Sequence, residues 1–138
     1  MPPDSRLAIV VNPDLPLGLL ANTVGAIGIG LGARLPWLGN RPLTDLEGRI
    51  IDDSSILPVP ILAAPPEVIR ALMLKAMPRG DESALVVFPA FSRALHDYQE
   101  YEAQLPQKRL AEEVIDGLGL CGPAKWVKSL TGSLRLLR

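Results

Sequence analysis

Leu7-Ala8-Ile9-Val10-Val11-Asn12-Pro13-Asp14-Leu15-Pro16 is the stretch on which the fold turns. Its first five residues are apolar without a break. A strand with one wet face alternates apolar and polar positions, so this run predicts a short strand buried on both faces. Asn12-Pro13 ends it. Asp14 can then accept from the free N–H groups of a helix start, and Pro16 suits a first helical turn because it has no N–H to satisfy. Leu20, Val24, Ile27 and Leu31 follow at i, i+4, i+7 and i+11, which predicts a helix with one apolar stripe. A buried strand feeding a helix is the opening of an α/β unit.

Working outward, residues 36–42 read as a loop. Residues 43–51 form two short strands about the turn Asp45-Leu46-Glu47-Gly48. Residues 57–63 predict another strand, pushed to a sheet edge by Pro58 and Pro60, which cannot donate to a ladder. Pro65-Pro66 opens a helix with Val68, Leu72 and Lys75 on one side, and Met77-Pro78 stops it. Residues 84–88 are a second buried strand. Ser92 caps a helix running to about Gln104, with Ala94, Tyr98, Tyr101 and Leu105 on one stripe. A further helix is expected over residues 107–115, ended by Gly117. The last segment holds a short helix near residues 124–128 and a final strand around residues 134–137. The alternation predicts an α/β fold in one domain over residues 1–138, with a single mixed, mostly parallel sheet and helices on both faces.

Composition narrows the function classes. The 138 residues carry a net charge of −1 and only 4% aromatics, so the core is aliphatic and no global field recruits DNA or an acidic membrane. RNA binding has weak support. Lys125, Lys128, Arg135 and Arg138 follow the last acid, Asp116, and such an edge also serves simply to discourage strand-to-strand aggregation. Residues 15–33 carry no charge, yet they include Pro16, Asn22, Thr23 and five glycines, and no basic lead-in or cleavage site accompanies them. A buried helix is expected there, not a membrane span. The lone Cys121 excludes an intramolecular disulfide and is expected to be an inert small hydrophobe. This suits a cytoplasmic protein.

No metal or cofactor is expected. One histidine, one cysteine and scattered carboxylates show no ligand spacing. The glycines at 25, 28, 30 and 32 come late in the helix, where no free N–H groups meet a phosphate, so they read as close packing against the sheet. Ser92, His96 and Asp97 resemble pieces of a catalytic triad. Adjacent positions on a helix diverge, however, and Asp97 cannot orient His96 from its far side.

The most suggestive group is Asn12, Asp14, Asn22 and Thr23. Asn12 and Asp14 leave the carboxyl end of the first strand, where open α/β sheets bind ligands. Asn22 lies about two turns into the following helix, and a buried amide must be hydrogen-bonded. Either these residues line a ligand pocket, or Asn12 caps the turn and Asn22 ties the helix to a loop.

At these residues the sequence resembles the bacterial domain of unknown function 2000 family. The likeness rests on Val11-Asn12-x-Asp14-Leu15-Pro16-x-Gly18, on Ala21-Asn22, and on the closing Leu130-Thr131-Gly132-Ser133-Leu134-x-Leu136-Leu137-Arg138. That family in turn looks like the peptidyl-tRNA hydrolase of the archaeal and eukaryotic type, through Asp14-Leu15 and Thr131-Gly132-x-Leu134-Arg135-Leu136. Asn12 stands where those enzymes carry an arginine, and Asn22 roughly where they carry a glutamine. Their helix lysine has no counterpart in Gly18-Leu19-Leu20, and their Asp-Ala-Gly turn is replaced by Phe88-Pro89-Ala90-Phe91. The resemblance implies a peptidyl-tRNA-hydrolase-like fold and a homodimer. The leading expectation is a small polar ligand bound among Asn12, Asn22, Thr23 and Thr131 beside Asp14. A hydrolase using Asp14 as base, with the asparagines as oxyanion donors, is the rival. A protein-interaction module is the third reading.

Overall fold

The structure is a computed structural model and describes residues 4–138. Strand β1 (Ser5–Val11) is followed by α1 (Leu17–Arg34), then a small hairpin of β2 (Pro42–Thr44) and β3 (Ile50–Asp52). Next come β4 (Ile61–Ala63), α2 (Pro66–Ala76), β5 (Ala84–Pro89), α3 (Tyr98–Gln104), β6 (Ile115–Pro123), α4 (Ala124–Thr131) and β7 (Arg135–Leu136). Five strands form one sheet in the order β5-β6-β1-β4-β7, and the hairpin stands apart.

The first strand behaves as its run of apolar residues predicts. Ala8 and Val10 point to one face, where they join Ile69, Met73 and Val127 of α2 and α4. Leu7 and Ile9 point to the other, against Ile27 and Leu31 of α1. Strand geometry sends successive side chains to opposite faces, so only an unbroken apolar run fills both layers.

The sheet is mixed, but it is not mostly parallel. Among the described strands only β1 with β4 is parallel, while β1 with β6, β4 with β7 and β5 with β6 are antiparallel. The cause is the connection after β5. No helix covers residues 107–115; single 3-10 turns at Leu105–Gln107 and Leu110–Glu112 lead straight into β6. The short α3 in this connection packs against the following 3-10 turn and does not carry the chain back along the sheet, so β6 re-enters antiparallel.

β6 is a nine-residue strand in the middle of the sheet, in the stretch expected to be helix and loop. Its sequence, IDGLGLCGP, has low strand propensity because glycine has no side chain to pack. Those glycines are where α1 closes on the sheet. A Cβ on Gly117 would lie 2.8 Å from Thr23 Cγ2 and 2.9 Å from Ile27 Cδ1. The glycines of α1 do the opposite: a Cβ on Gly25, Gly28 or Gly32 would meet nothing within 4 Å. Only Gly30 is tight, with Val86 Cγ1 3.1 Å from its Cβ position. The expected close packing is real, but it belongs to the strand.

Other expectations shift in detail. α1 is not a buried helix. Only Thr23, Ile27 and Leu31 of its 18 residues are buried, and Leu17 and Ile29 stand 81% and 77% exposed. It is long and apolar enough to cross a membrane by length and composition, and here it lies against the sheet. Asp14 does not cap it, since the N-cap is Pro16 and no side chain bonds the first turn. β4 is not at the edge, because β7 flanks it, and Pro58 and Pro60 precede the strand. α2 buries Ile69, Leu72, Met73 and Ala76, leaving Val68 and Lys75 outside. β5 and β7 are the edge strands. Ser92 sits in a 3-10 turn, Ala90–Ala94, and the N-cap of α3 is Asp97, whose Oδ1 accepts from the Glu100 N–H.

Cys121 is wholly buried on the α1 side, and burial pushes its thiol up to about 11. Against an unfolded value of 9.0, the neutral thiol's contribution to stability is intact below pH 9 and is lost as pH rises through about 11. The native protein is therefore expected to resist thiol-directed reagents at mildly alkaline pH, and to react fully once unfolded in urea. Rapid native-state labelling would show that β6 opens on the labelling timescale.

Candidate functional site

β1, β4 and β5 run in the same direction, so their carboxyl ends share one edge of the sheet. At that edge β6 enters between β1 and β5 with a bulge. Phe88 pairs with Gly117 but Pro89 pairs with Ile115, leaving Asp116 as the extra residue. A bulge re-aims a side chain, and strand rims beside functional sites are where bulges concentrate. Asp116 is 1% exposed, a carboxylate buried at the head of an otherwise apolar strand.

Two side chains meet it. Asn12, just past β1, donates from Nδ2 to Asp116 Oδ1 at 3.2 Å, and its backbone N–H donates to the Asp116 carbonyl at 2.9 Å. Arg93 comes from the 3-10 turn after β5 and places Nη2 2.9 Å from Asp116 Oδ2. That contact is close but off the hydrogen-bond direction, so Oδ2 is compensated by charge and not by an aligned donor. The Arg93 side chain is still 34% exposed. Asn12 Oδ1 accepts the backbone N–H of Asp14 at 3.0 Å, which shapes the turn into α1. One buried carboxylate thus orients an amide and a guanidinium at the sheet edge.

The predicted site residues separate. Asn12 and Asp14 stand together in the turn, with the Asp14 side chain exposed. Asn22 is exposed on α1. Thr23 is buried under α1 and donates to the Leu19 carbonyl. Thr131 is buried at the end of α4, on the opposite face of the sheet, and donates to the Val127 carbonyl. Both threonine hydroxyls are spent on their own helices, so no single pocket gathers all five residues.

Asp116 and Arg93 were not among the residues read from sequence. The signal for Asp116 was a lone acid opening a run in which Leu118 and Leu120 alternate with Gly117, Gly119 and Cys121. Nothing in sequence marks Arg93.

A cleft of ≈ 490 Å³ opens along the same segment, between α1 at Ala26 and Gly30, the β5 residues Val86 and Phe88, and the rim residues His96 and Tyr98. Its volume lies within the range of small-molecule sites. Behind it Phe91 stacks on Tyr101 with ring centroids 5.7 Å apart, and Lys108 Nζ sits 4.9 Å over the Phe91 ring. Partial burial and the neighbouring Tyr98 raise the Tyr101 hydroxyl above its ordinary range. Ser92, His96 and Asp97 border this cleft without forming a triad. The Ser92 hydroxyl donates to the Pro89 carbonyl and the Asp97 carboxylate caps α3.

Comparison with known proteins fits this architecture. The structure is similar to that of a protein of unknown function, Atu0240, from Agrobacterium tumefaciens C58. The two share a TM-score of 0.86 and 18% identity, over 96% of this chain and 97% of that one. No curated protein matches the sequence. The model of the family described as "Protein of unknown function (DUF2000)" matches residues 5–138, and the chain belongs to that family.

Proposed function

We propose that this α/β protein binds a small polar ligand at the first strand-to-helix turn, beside Asn12, Asp14 and Arg93. The observation that carries the reading is the buried Asp116 carboxylate on its bulge. Burying a charge is costly, and here it holds two polar side chains in place at the sheet edge where α/β folds take ligands. Arg93 is held beside Asp116 by charge, and its guanidinium, 34% exposed, keeps donors open to an anionic group. The first turn of α1 has no side-chain cap, so its N–H groups are also open to an acceptor. The ligand class is a small organic acid or phosphate; the cleft that reaches Pro89 and Ser92 lies beside this corner, its lining including none of Asn12, Asp14 and Arg93.

The relation to peptidyl-tRNA hydrolases rests on sequence, through Asp14-Leu15 and the Thr131–Leu136 motif, and we extend it to the fold. Hydrolysis itself has less support. One Asn12 amide hydrogen is engaged by Asp116, and the exposed Asn22 stands away from the turn's buried polar contacts.

Differential scanning fluorimetry with a panel of small carboxylates and phosphates, aromatic ones included, tests the reading. A ligand at about a hundred times its dissociation constant stabilises the folded state by roughly 2.7 kcal/mol, a shift of several degrees. At least one class is expected to raise the melting temperature of the wild type and not of Arg93→Gln. No shift across the panel, or equal shifts in both proteins, would remove the site from this corner. Cleavage of an N-acylated aminoacyl-tRNA that Asp14→Asn abolishes would replace binding by catalysis.

A further inference from the structure

Two apolar surfaces are covered by nothing else among the described residues. The first is the hairpin. β2 and β3 pair antiparallel with Leu43 opposite Ile51, and residues 41–52 are all exposed. Its turn is held by local bonds. Asp45 Oδ1 accepts the backbone N–H groups of Glu47 and Arg49, and the Arg49 side chain bridges Asp45 and Glu47. Leu43 and Ile51 form one apolar face, 47% and 63% exposed, and Leu46 stands fully exposed at the tip. A lone two-stranded hairpin is marginal in water, so an arm of this kind is ordinarily covered by something.

The second surface is a groove of ≈ 480 Å³ between one flank of α1 and the stem of the hairpin, floored by Leu7, Ile9 and Leu31. Gly25, Gly28 and Ile29 form one wall, and Gly39, Asp53 and Ser55, at the stem of the hairpin, form the other. No charge lies between Leu15 and Ala33, so the groove offers an ionic partner nothing on the helix side. It offers an apolar strand pair a wall in which Ile29 is flanked by Gly25, Gly28 and Gly32, where backbone can approach closely. The arm springs from the groove's own rim.

The area is consistent with a covered state. A compact monomer of 14.8 kDa exposes about 7,000 Å², whereas this chain exposes 8525 Å². The surplus, roughly 1,500 Å², exceeds the ~800 Å² that each partner contributes to an interface of standard size.

We infer that the occupant of the groove is the Pro42–Asp52 arm of a second copy of this chain, the two copies exchanging arms about a two-fold axis. An isologous contact of this type presents the same two surfaces on both copies, so arm and groove on one chain complete each other. The inference is independent of the ligand reading, since neither Arg93 nor Asn12 lines the groove.

Sedimentation velocity and light scattering on the full chain test it. The wild type is expected to run at twice the chain mass at micromolar concentration. Ile29→Arg in the groove and Ile51→Lys on the arm are each expected to give monomers, with circular-dichroism melts showing that the fold survives. An equimolar mixture of the two variants is expected to associate more than either alone, because one intact arm and one intact groove then meet. A wild type that stays monomeric at its highest soluble concentration, whether or not it captures another protein, overturns the inference. So does a dimer indifferent to both substitutions, or a mixture no more associated than its components.

Discussion

Gly119→Val is expected to cost roughly 3 kcal/mol or more, the upper range for overfilling a packed core, and to lower the melting temperature by roughly 10 °C or more. Gly119 lies in β6, paired to Ile9 on one side and Val86 on the other. A side chain there enters the space of Ile27 Cγ2 and comes within 2.8 Å of Leu31 Cδ1. Ile27 and Leu31 are 0% and 1% exposed, and Ile27 Cγ2 is fixed on a branched Cβ, so it withdraws only if α1 itself shifts. The strand cannot move either, because ladders on both flanks hold its register. Against a total stability of about 5–15 kcal/mol, such a loss leaves little folded protein at elevated temperature. Gly18→Ala is the control, since its Cβ meets nothing within 4 Å and stability there should hold or rise slightly. Urea denaturation of both variants checks the pair. A Gly119→Val protein as stable as wild type would mean that α1 does not rest on β6 as described.

Arg93→Ala is expected to destabilise by roughly 2 kcal/mol, because it leaves the Asp116 carboxylate buried without its counter-charge. Breaking a fully buried pair costs about 3–5 kcal/mol, and the 34% exposure of Arg93 lowers that through solvent screening. The double variant Arg93→Ala/Asp116→Ala is expected to recover part of the loss, since the orphaned charge goes with its partner. Arg93→Lys should restore the charge but not the geometry, and fall between the two. Chemical denaturation of these three variants, with Asp116→Ala and wild type completing the cycle, gives the coupling energy directly. A loss within about 0.5 kcal/mol for Arg93→Ala would make the pair an ordinary surface contact. The ligand reading would then lose its preorganised guanidinium.

The first strand, its turn and the helix after it were legible because each is dictated locally. An unbroken apolar run, a proline and a 3.6-residue stripe need no partner to be read. The β2–β3 hairpin was legible for the same reason: Asp45 and Gly48, the latter at φ 85°, make the turn from within. The burial of Cys121 followed from its apolar setting.

The rest depended on pairing. β6 looks unlike a strand because its glycines answer to α1 across the sheet, a demand no local window contains. The sheet's mixed direction came from a β5-to-β6 connection whose one short helix, α3, does not run back along the sheet. Asp116 became the centre of the candidate site through a one-residue mismatch between β5 and β6, and Arg93 only through the turn that faces it. Sequence by itself determined where the chain turns and which positions must be apolar, since propensity and periodicity act over a few residues. Tertiary structure alone decided which glycines are obligatory and which carboxylate is buried. It also decided which apolar faces were left over, because close approach, charge burial and exposure are properties of residues far apart in the chain.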